Sequence, residues 1–373
     1  MPGRDDTPEL FRRRFLALTA LGATAPFLGT GPLRAQTTEL PALTTIPDNL
    51  KGSGEVRIAG YGGTAQDAQR RAYFEPFEKL SGITTRDFAG ADINKVKAMV
   101  DTGNVEWDVV QLSRSTVKNL MKKGDYFEKI DFDLVDTANI DPLYRYEYAL
   151  DMLVWSQVMA HRTDAFKGAA PNGWADFWDV KKFSGDRALG GAGPSTPELE
   201  FALLAAGVSP DKIYPIDIDR AFDSYDRIKA SVVKWWETGA VPVQMLTDRE
   251  VVMTSVWNGR MAALQAAGVP AAISWNQGLL KRDCWAVPKG SPNRANAMKF
   301  IAFSTMAIPQ ARLSSLIPYG FVNSKSADYV SPKQLEQLPS APAIRSQLLS
   351  YDYDWWVDNR DTVIGRWNKW ILA

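Results

Sequence analysis

Four aromatic residues stand where strands end or loops turn: Tyr61, Trp257, Trp285 and Tyr319. Rings in such positions suit two ligand types, sugars by stacking and organic cations by attraction to the ring face. Each cation–π contact is worth about 0.5 to 2 kcal/mol when desolvated. Two or three such walls and one buried carboxylate reach micromolar binding, about −8 kcal/mol. Other chemistry is sparse. The one histidine, His161, sits beside Arg162 at the end of an apolar strand and reads as structural. The one cysteine, Cys284, lies between Asp283 and Trp285 on a strand and reads as a small buried hydrophobe. These counts exclude a disulfide framework, a Cys-rich zinc site and a His-pair metal site. They also leave little material for a Ser-His-Asp triad. Gly60-Tyr61-Gly62-Gly63 follows a strand but is not G-x-G-x-x-G, so it is weak evidence for a nucleotide. Its glycines instead let backbone N–H groups face a cleft at the carboxyl ends of the strands. No spacing singles out two carboxylates as an acid–base pair.

The elements that position these residues alternate. Glu55–Gly60 has the period of a strand, then Gly62-Gly63-Thr64 turns into a helix over Ala65–Ser81. The unit repeats as a helix over Lys95–Thr102, a buried strand over Asp108–Leu112, a turn at Ser113-Arg114-Ser115, and a helix over Val117–Lys123. Tyr148–His161 is too long for an ordinary strand and suits a segment passing from one lobe to another. Helices are expected at Trp174–Asp179, Glu198–Ala206, Ile218–Thr238, Ala295–Thr305, Gln310–Leu316 and within the tail, and strands at Glu250–Val256, Ala271–Trp275 and Asp283–Val287. Alternating strands and helices mean an α/β fold. The length of 373 residues suggests two or three domains. Of the 13 tryptophans, Trp174, Trp178, Trp235, Trp236, Trp367 and Trp370 fall in helical segments and are expected in the core.

Residues 1–35 read as an export leader. Arg12-Arg13-Arg14-Phe15-Leu16 precedes a 13-residue, mostly apolar run, Leu16–Leu28, too short for a membrane span of about 20 residues. Arg-Arg-x-Phe-Leu resembles the twin-arginine motif, and cleavage is expected after Ala35. Residues 36–54 form a polar lead-in. The whole chain has 43 bases and 43 acids; removing the leader leaves 38 bases and 40 acids. That balance weighs against nucleic acid, whose binding needs a basic surface.

From Glu55 to the C-terminus the chain resembles the periplasmic solute-binding receptors of ABC importers, specifically the spermidine/putrescine-binding group. The likeness is carried by Tyr61-Gly62-Gly63-Thr64, Trp107-Asp108-Val109-Val110, Trp174-Ala175-Asp176-Phe177-Trp178, Trp257-Asn258-Gly259-Arg260 and Ile317-Pro318-Tyr319-Gly320, in the family's order. The resemblance implies two discontinuous α/β lobes with a ligand cleft between them, 55–156 with 283–328 and 157–282 with 329–373. It also implies a second crossing near Leu280–Asp283. By position it places Tyr61, Gly62, Gly63, Thr64, Ser113, Arg114, Ser115, Trp257, Asp283 and Tyr319 at the ligand, with Asp283 pairing an ammonium. No catalytic residue, metal or cofactor is implied; the partners are a small amine or amino-acid ligand and a membrane permease, and the receptor is expected to be a monomer. The second-lobe loop that carries acids in spermidine receptors reads Pro194-Ser195-Thr196-Pro197, with none. An inward Arg114 would welcome a carboxylate. Both departures favour a ligand with one amine, a small polyamine or an ω-amino acid. An exported carbohydrate-active enzyme and a ferric-ion receptor of the same fold are the competing readings.

Overall fold

Val56 and Ile58 are fully buried at alternate positions, which makes Glu55–Gly60 an inner strand of the first lobe. The computed structural model describes residues 40–192 and 196–373, so the expectations for residues 1–35, and for Pro194 and Ser195, lie outside the described residues. Ten strands form one sheet: β1 Glu55–Gly60, β2 Thr84–Ala89, β3 Val109–Ser113, β4 Arg145–Tyr146, β5 Ala149–Arg162, β6 Arg187–Gly190, β7 Val232–Trp236, β8 Met253–Trp257, β9 Ala271–Ala286 and β10 Leu349–Ser350. Their order is β2-β1-β3-β9-β5-β8-β6-β7, with β4 attached to β5 and β10 to β9. Strands β1, β2 and β3 are parallel, as are β6, β7 and β8. Between these two groups run β5 and β9, antiparallel to each other.

The two long strands make the molecule bilobal. The β9 segment Asp283–Ala286 pairs with β3, while the β5 segment Gln157–His161 pairs with β8. Each strand therefore belongs to one half-sheet at one end and to the other half-sheet at the other. The lobes have separate cores on both faces of their half-sheets. In the first, Phe74, Phe77, Phe300 and Phe303 meet at centroid distances of 5.4–5.7 Å. In the second, Trp174 stacks on Phe201 at 3.6 Å, and Trp235, Trp367 and Trp370 pack edge to face or tilted. Fully burying one such ring stabilises by about 1.5 to 3 kcal/mol. The C-terminal helix Tyr353–Trp370 packs into this second core through Trp356, Val363, Trp367 and Trp370.

Several local expectations need correction. The helix expected over Ile218–Thr238 ends at Ile228, and Trp235 and Trp236 lie on β7. Ala271–Trp275 and Asp283–Val287 are the two ends of one strand, β9, irregular near Gln277, where φ is +63°. Ser113-Arg114-Ser115 is not a turn. The Ser113 side chain accepts from the Thr116 N–H and starts the helix Arg114–Met121 directly at the end of β3. Trp285 is fully buried against Phe300 in the first-lobe core, so it is no cleft wall. Cys284 is buried, and its thiol donates to the Leu112 carbonyl at 3.3 Å.

Candidate functional site

Asp283 lies near the C-terminal end of the crossing strand β9, where that strand pairs with β3. It sits opposite Ser113 of β3 and Leu153 of β5. Its Oδ2 accepts from Gln111 Nε2 at 2.9 Å and its Oδ1 from Trp155 Nε1 at 3.3 Å. Gln69 Nε2 in turn donates to Gln111 Oε1 at 2.9 Å, fixing the amide that holds the acid. No cation among the described residues forms an ion pair with Asp283. Burial therefore dominates and pushes its carboxyl up to about 6, against the pull of the two hydrogen bonds. A half-buried carboxylate with no paired cation among the described residues is suited to accept one.

Aromatic rings surround it. Trp155 on β5 and Trp257 at the end of β8 meet edge to face at 5.6 Å. Tyr61, just past β1, is half exposed, yet its hydroxyl end is enclosed near Asp283 and the Ser113 backbone. Burial, with Asp283 second, raises that phenol well above its ordinary value. Tyr319 is shifted up for the same first reason; Asp283 raises it further and Arg260 opposes. Its hydroxyl thus lies within electrostatic reach of one acid and one base.

The segment Trp257-Asn258-Gly259-Arg260 builds much of this geometry. Trp257 supplies a wall, and its buried indole N–H has no acceptor. Asn258 accepts from the Ser156 N–H and donates to the Pro318 carbonyl, each at 2.8 Å. One side chain so ties the crossing strand β5 to the residue before Tyr319. Gly259 is required by space: a β-carbon there would overlap the Tyr319 ring. Arg260 follows in the first turn of the helix Asn258–Ala266, exposed and without an ion pair among the described residues.

The other expected site residues divide. Ser113 and Ser115 are at the seam, their hydroxyls 3.0 Å apart, and both line a cavity of about 440 Å³. Gly62 and Gly63 have φ of +86° and +64°, which is why glycine turns the chain there. The Gly62 N–H already donates to Gln66 Oε1 at 2.8 Å, and Gly63 and Thr64 are exposed on the first turn of the helix. Arg114 must be corrected: it does not point into the cleft. It is buried, bonded to Asp151 through Nε at 3.0 Å and Nη2 at 2.7 Å, and donates to the carbonyls of Tyr144 and Arg145. All three of its nitrogens meet protein acceptors and the group is buried, so it is committed to the fold rather than offered to a ligand.

Four residues that sequence reasoning passed over lie at the seam: Gln111, Trp155, Arg260 and Lys281. Trp155 carried a signal, an indole in the middle of an overlong strand. Arg260 stood within a quoted motif, as a cation one turn past a wall residue. Among the described residues no group of His, Cys, Asp and Glu could hold a metal ion, and no helix is long and apolar enough to cross a membrane.

Residues 72–343 match the family model for bacterial extracellular solute-binding proteins. The chain is 39% identical to the gamma-aminobutyric acid-binding protein of Pseudomonas aeruginosa over 85% of this chain and 91% of that one. It is 23% identical to the spermidine/putrescine-binding periplasmic protein of Escherichia coli over 69% and 76% of the two chains. The fold superposes on an ABC transporter substrate-binding protein from Bradyrhizobium japonicum with TM-score 0.80, 36% identity and coverage of 85% and 99%. A GABA receptor structure matches with TM-score 0.77, 37% identity and coverage of 85% and 97%. With a bilobal α/β fold, crossing strands and a polar seam between the lobes, the chain belongs to the bacterial extracellular solute-binding proteins, substrate-binding components of ABC transporters rather than enzymes.

Proposed function

We propose that this receptor captures an ω-amino acid of the γ-aminobutyrate type and hands it to a membrane permease. The ammonium enters the box of Tyr61, Trp155, Trp257 and Tyr319 and pairs with Asp283; the carboxylate meets Arg260. The observation that carries this reading is the position of Tyr319, within electrostatic reach of a half-buried acid with no paired cation and an exposed base with no paired anion among the described residues. A diamine would set its second ammonium against Arg260, a like-charge contact that selects against it. The Pseudomonas relative, named for gamma-aminobutyric acid, supports the same ligand class. The Arg12-Arg13 segment supports export to the periplasm by the twin-arginine route.

Isothermal titration of the mature protein with γ-aminobutyrate, putrescine, butylamine and butyrate tests the assignment of both ends. γ-Aminobutyrate should bind at micromolar Kd or tighter, and each one-ended analogue at least about 100-fold more weakly, near 2.7 kcal/mol. Putrescine binding as tightly as γ-aminobutyrate would overturn the role of Arg260.

A further inference from the structure

The seam has a second compartment beside the amine box. The cavity of about 440 Å³ is walled by the first-lobe helix Arg114–Met121 and the C-terminal helix Tyr353–Trp370, with Trp155 and Lys281 among its lining. Its charge is opposite to that of the box: Lys97, Lys123, Lys281, Arg282 and Arg360 line it against the single acid Asp361. Most of these cations are exposed or engaged; Lys97 pairs with Asp101, and Arg282 lies 3.5 Å from Asp151. Lys281 differs. It is 9% exposed, its Nζ has no hydrogen bond or ion pair among the described residues, and it rests over the rings of Tyr351 at 4.6 Å and Trp155 at 5.5 Å. Glu198 and Glu200 face it from the second lobe, but neither forms an ion pair with it. Both have other donors: Glu198 takes the Gly190 N–H and the Gln157 amide, and Glu200 takes Tyr214 Oη and Trp356 Nε1. An enclosed ammonium with no ion pair among the described residues, at a cavity wall, is the counterpart in charge of Asp283.

We propose that this cavity is a carboxylate subsite anchored by Lys281. Lys281 and Asp283 leave the same face of β9 two residues apart, roughly 7 Å along the strand. Trp155 touches both, through its indole N–H on Asp283 and its ring under Lys281. The carboxylate comes either as a free small acid or as a second acidic group on a ligand whose amine sits at Asp283. The subsite stands apart from the ω-amino acid reading, because Lys281 plays no part in that assignment.

Titration calorimetry with succinate, with γ-aminobutyrate and with N-(2-carboxyethyl)-γ-aminobutyrate separates the two sources. Succinate binding alone identifies a free carboxylate. A gain of at least about tenfold for the substituted amine over γ-aminobutyrate identifies a second group on the same ligand. Either response should fall at least about tenfold in Lys281→Met and survive in Lys281→Arg, which keeps the charge. Asp283→Asn separates the two sites, since it should weaken γ-aminobutyrate binding at least about 100-fold and leave succinate binding in place. The proposal is overturned if wild-type protein shows neither response at about 10 mM ligand, or if Lys281→Met retains the full response. The wild-type comparison stands whichever variants fold.

Discussion

Two arginine–aspartate arrangements, Asp151 with Arg114 and Arg282, and Asp283 with Arg260 within electrostatic reach of Tyr319, are built to opposite ends. Asp151 is fully buried between Arg114, at 2.7 Å, and Arg282, at 3.5 Å, and the guanidinium of Arg114 also serves two backbone carbonyls. Asp283, on the same β9 strand as Arg282, has no paired cation among the described residues, and Arg260 no paired acid. The first arrangement is closed by the protein itself; the second is left open at both charges. The proposed ligand site is thus the one left unpaired, and the sequence motif alone cannot distinguish a used arginine from an available one.

The largest effect should come from breaking the closed pair. Asp151→Asn leaves Arg114 and Arg282 buried without their counter-ion, which should cost about 3 to 5 kcal/mol of folding stability. Denaturant unfolding should show the loss, while γ-aminobutyrate titrated into the folded fraction keeps its wild-type Kd. A loss of ligand affinity matching the loss of stability would mean that the closed pair also shapes the site.

Breaking the open arrangement should do the reverse. Asp283→Asn removes the proposed partner of the ammonium, so γ-aminobutyrate should weaken at least about 100-fold, or about 2.7 kcal/mol or more. The folded protein should be no less stable, since an unpaired, half-buried charge has been replaced by a neutral amide. Calorimetry and thermal unfolding on one preparation read both quantities, and undiminished binding would remove Asp283 from the site.

How far the sequence exposes this contrast depends on what each residue's signal measures. The crossing strands are legible because their length exceeds what one half-sheet can use, and β5 at Ala149–Arg162 runs close to the expected Tyr148–His161. The aromatic box is legible in part. Trp257 and Tyr319 lie where strand end and loop suggest, but Trp285 shares a face of β9 with Asp283 and is nevertheless core. Two residues along, that face is covered by the helix carrying Phe300 rather than open to the seam. Arg114 is misread for a similar reason. Its direction is set by the helix that Ser113 caps, and the Asp151 it meets is 37 residues away on another strand. Long-range pairing of this kind leaves no mark in local spacing.

Reversing the open cation should change selectivity more than affinity for any one ligand. Arg260→Asp should weaken γ-aminobutyrate about 10- to 30-fold, near 1.4 to 2 kcal/mol at an exposed position, and bring putrescine closer to it. The ratio of the two Kd values is the measurement. If it stays constant while both weaken, Arg260 acts by shaping the loop around Tyr319 rather than by charge.

The smallest effect, and the one most specific to an unpaired acid, is the pH dependence. Burial raises the Asp283 carboxyl from the ordinary 3.8 to about 6 in the ligand-free protein. An ammonium needs the ionised form, so affinity should be flat above about pH 7 and fall toward tenfold per pH unit, about 1.4 kcal/mol, well below pH 6. The stability of the ligand-free protein must move the other way. A folded-state value above the unfolded one means a contribution complete below about pH 4 and lost as pH rises through 6. Glu198, raised to about 7 by burial, adds a loss of the same sign at slightly higher pH. Subtracting the Asp283→Asn profile from wild type removes the Glu198 part and isolates the Asp283 part. In that difference, ligand affinity should rise with pH over the interval in which ligand-free stability declines. Asp151, closed by its two arginines, has no ligand through which to produce such a crossing.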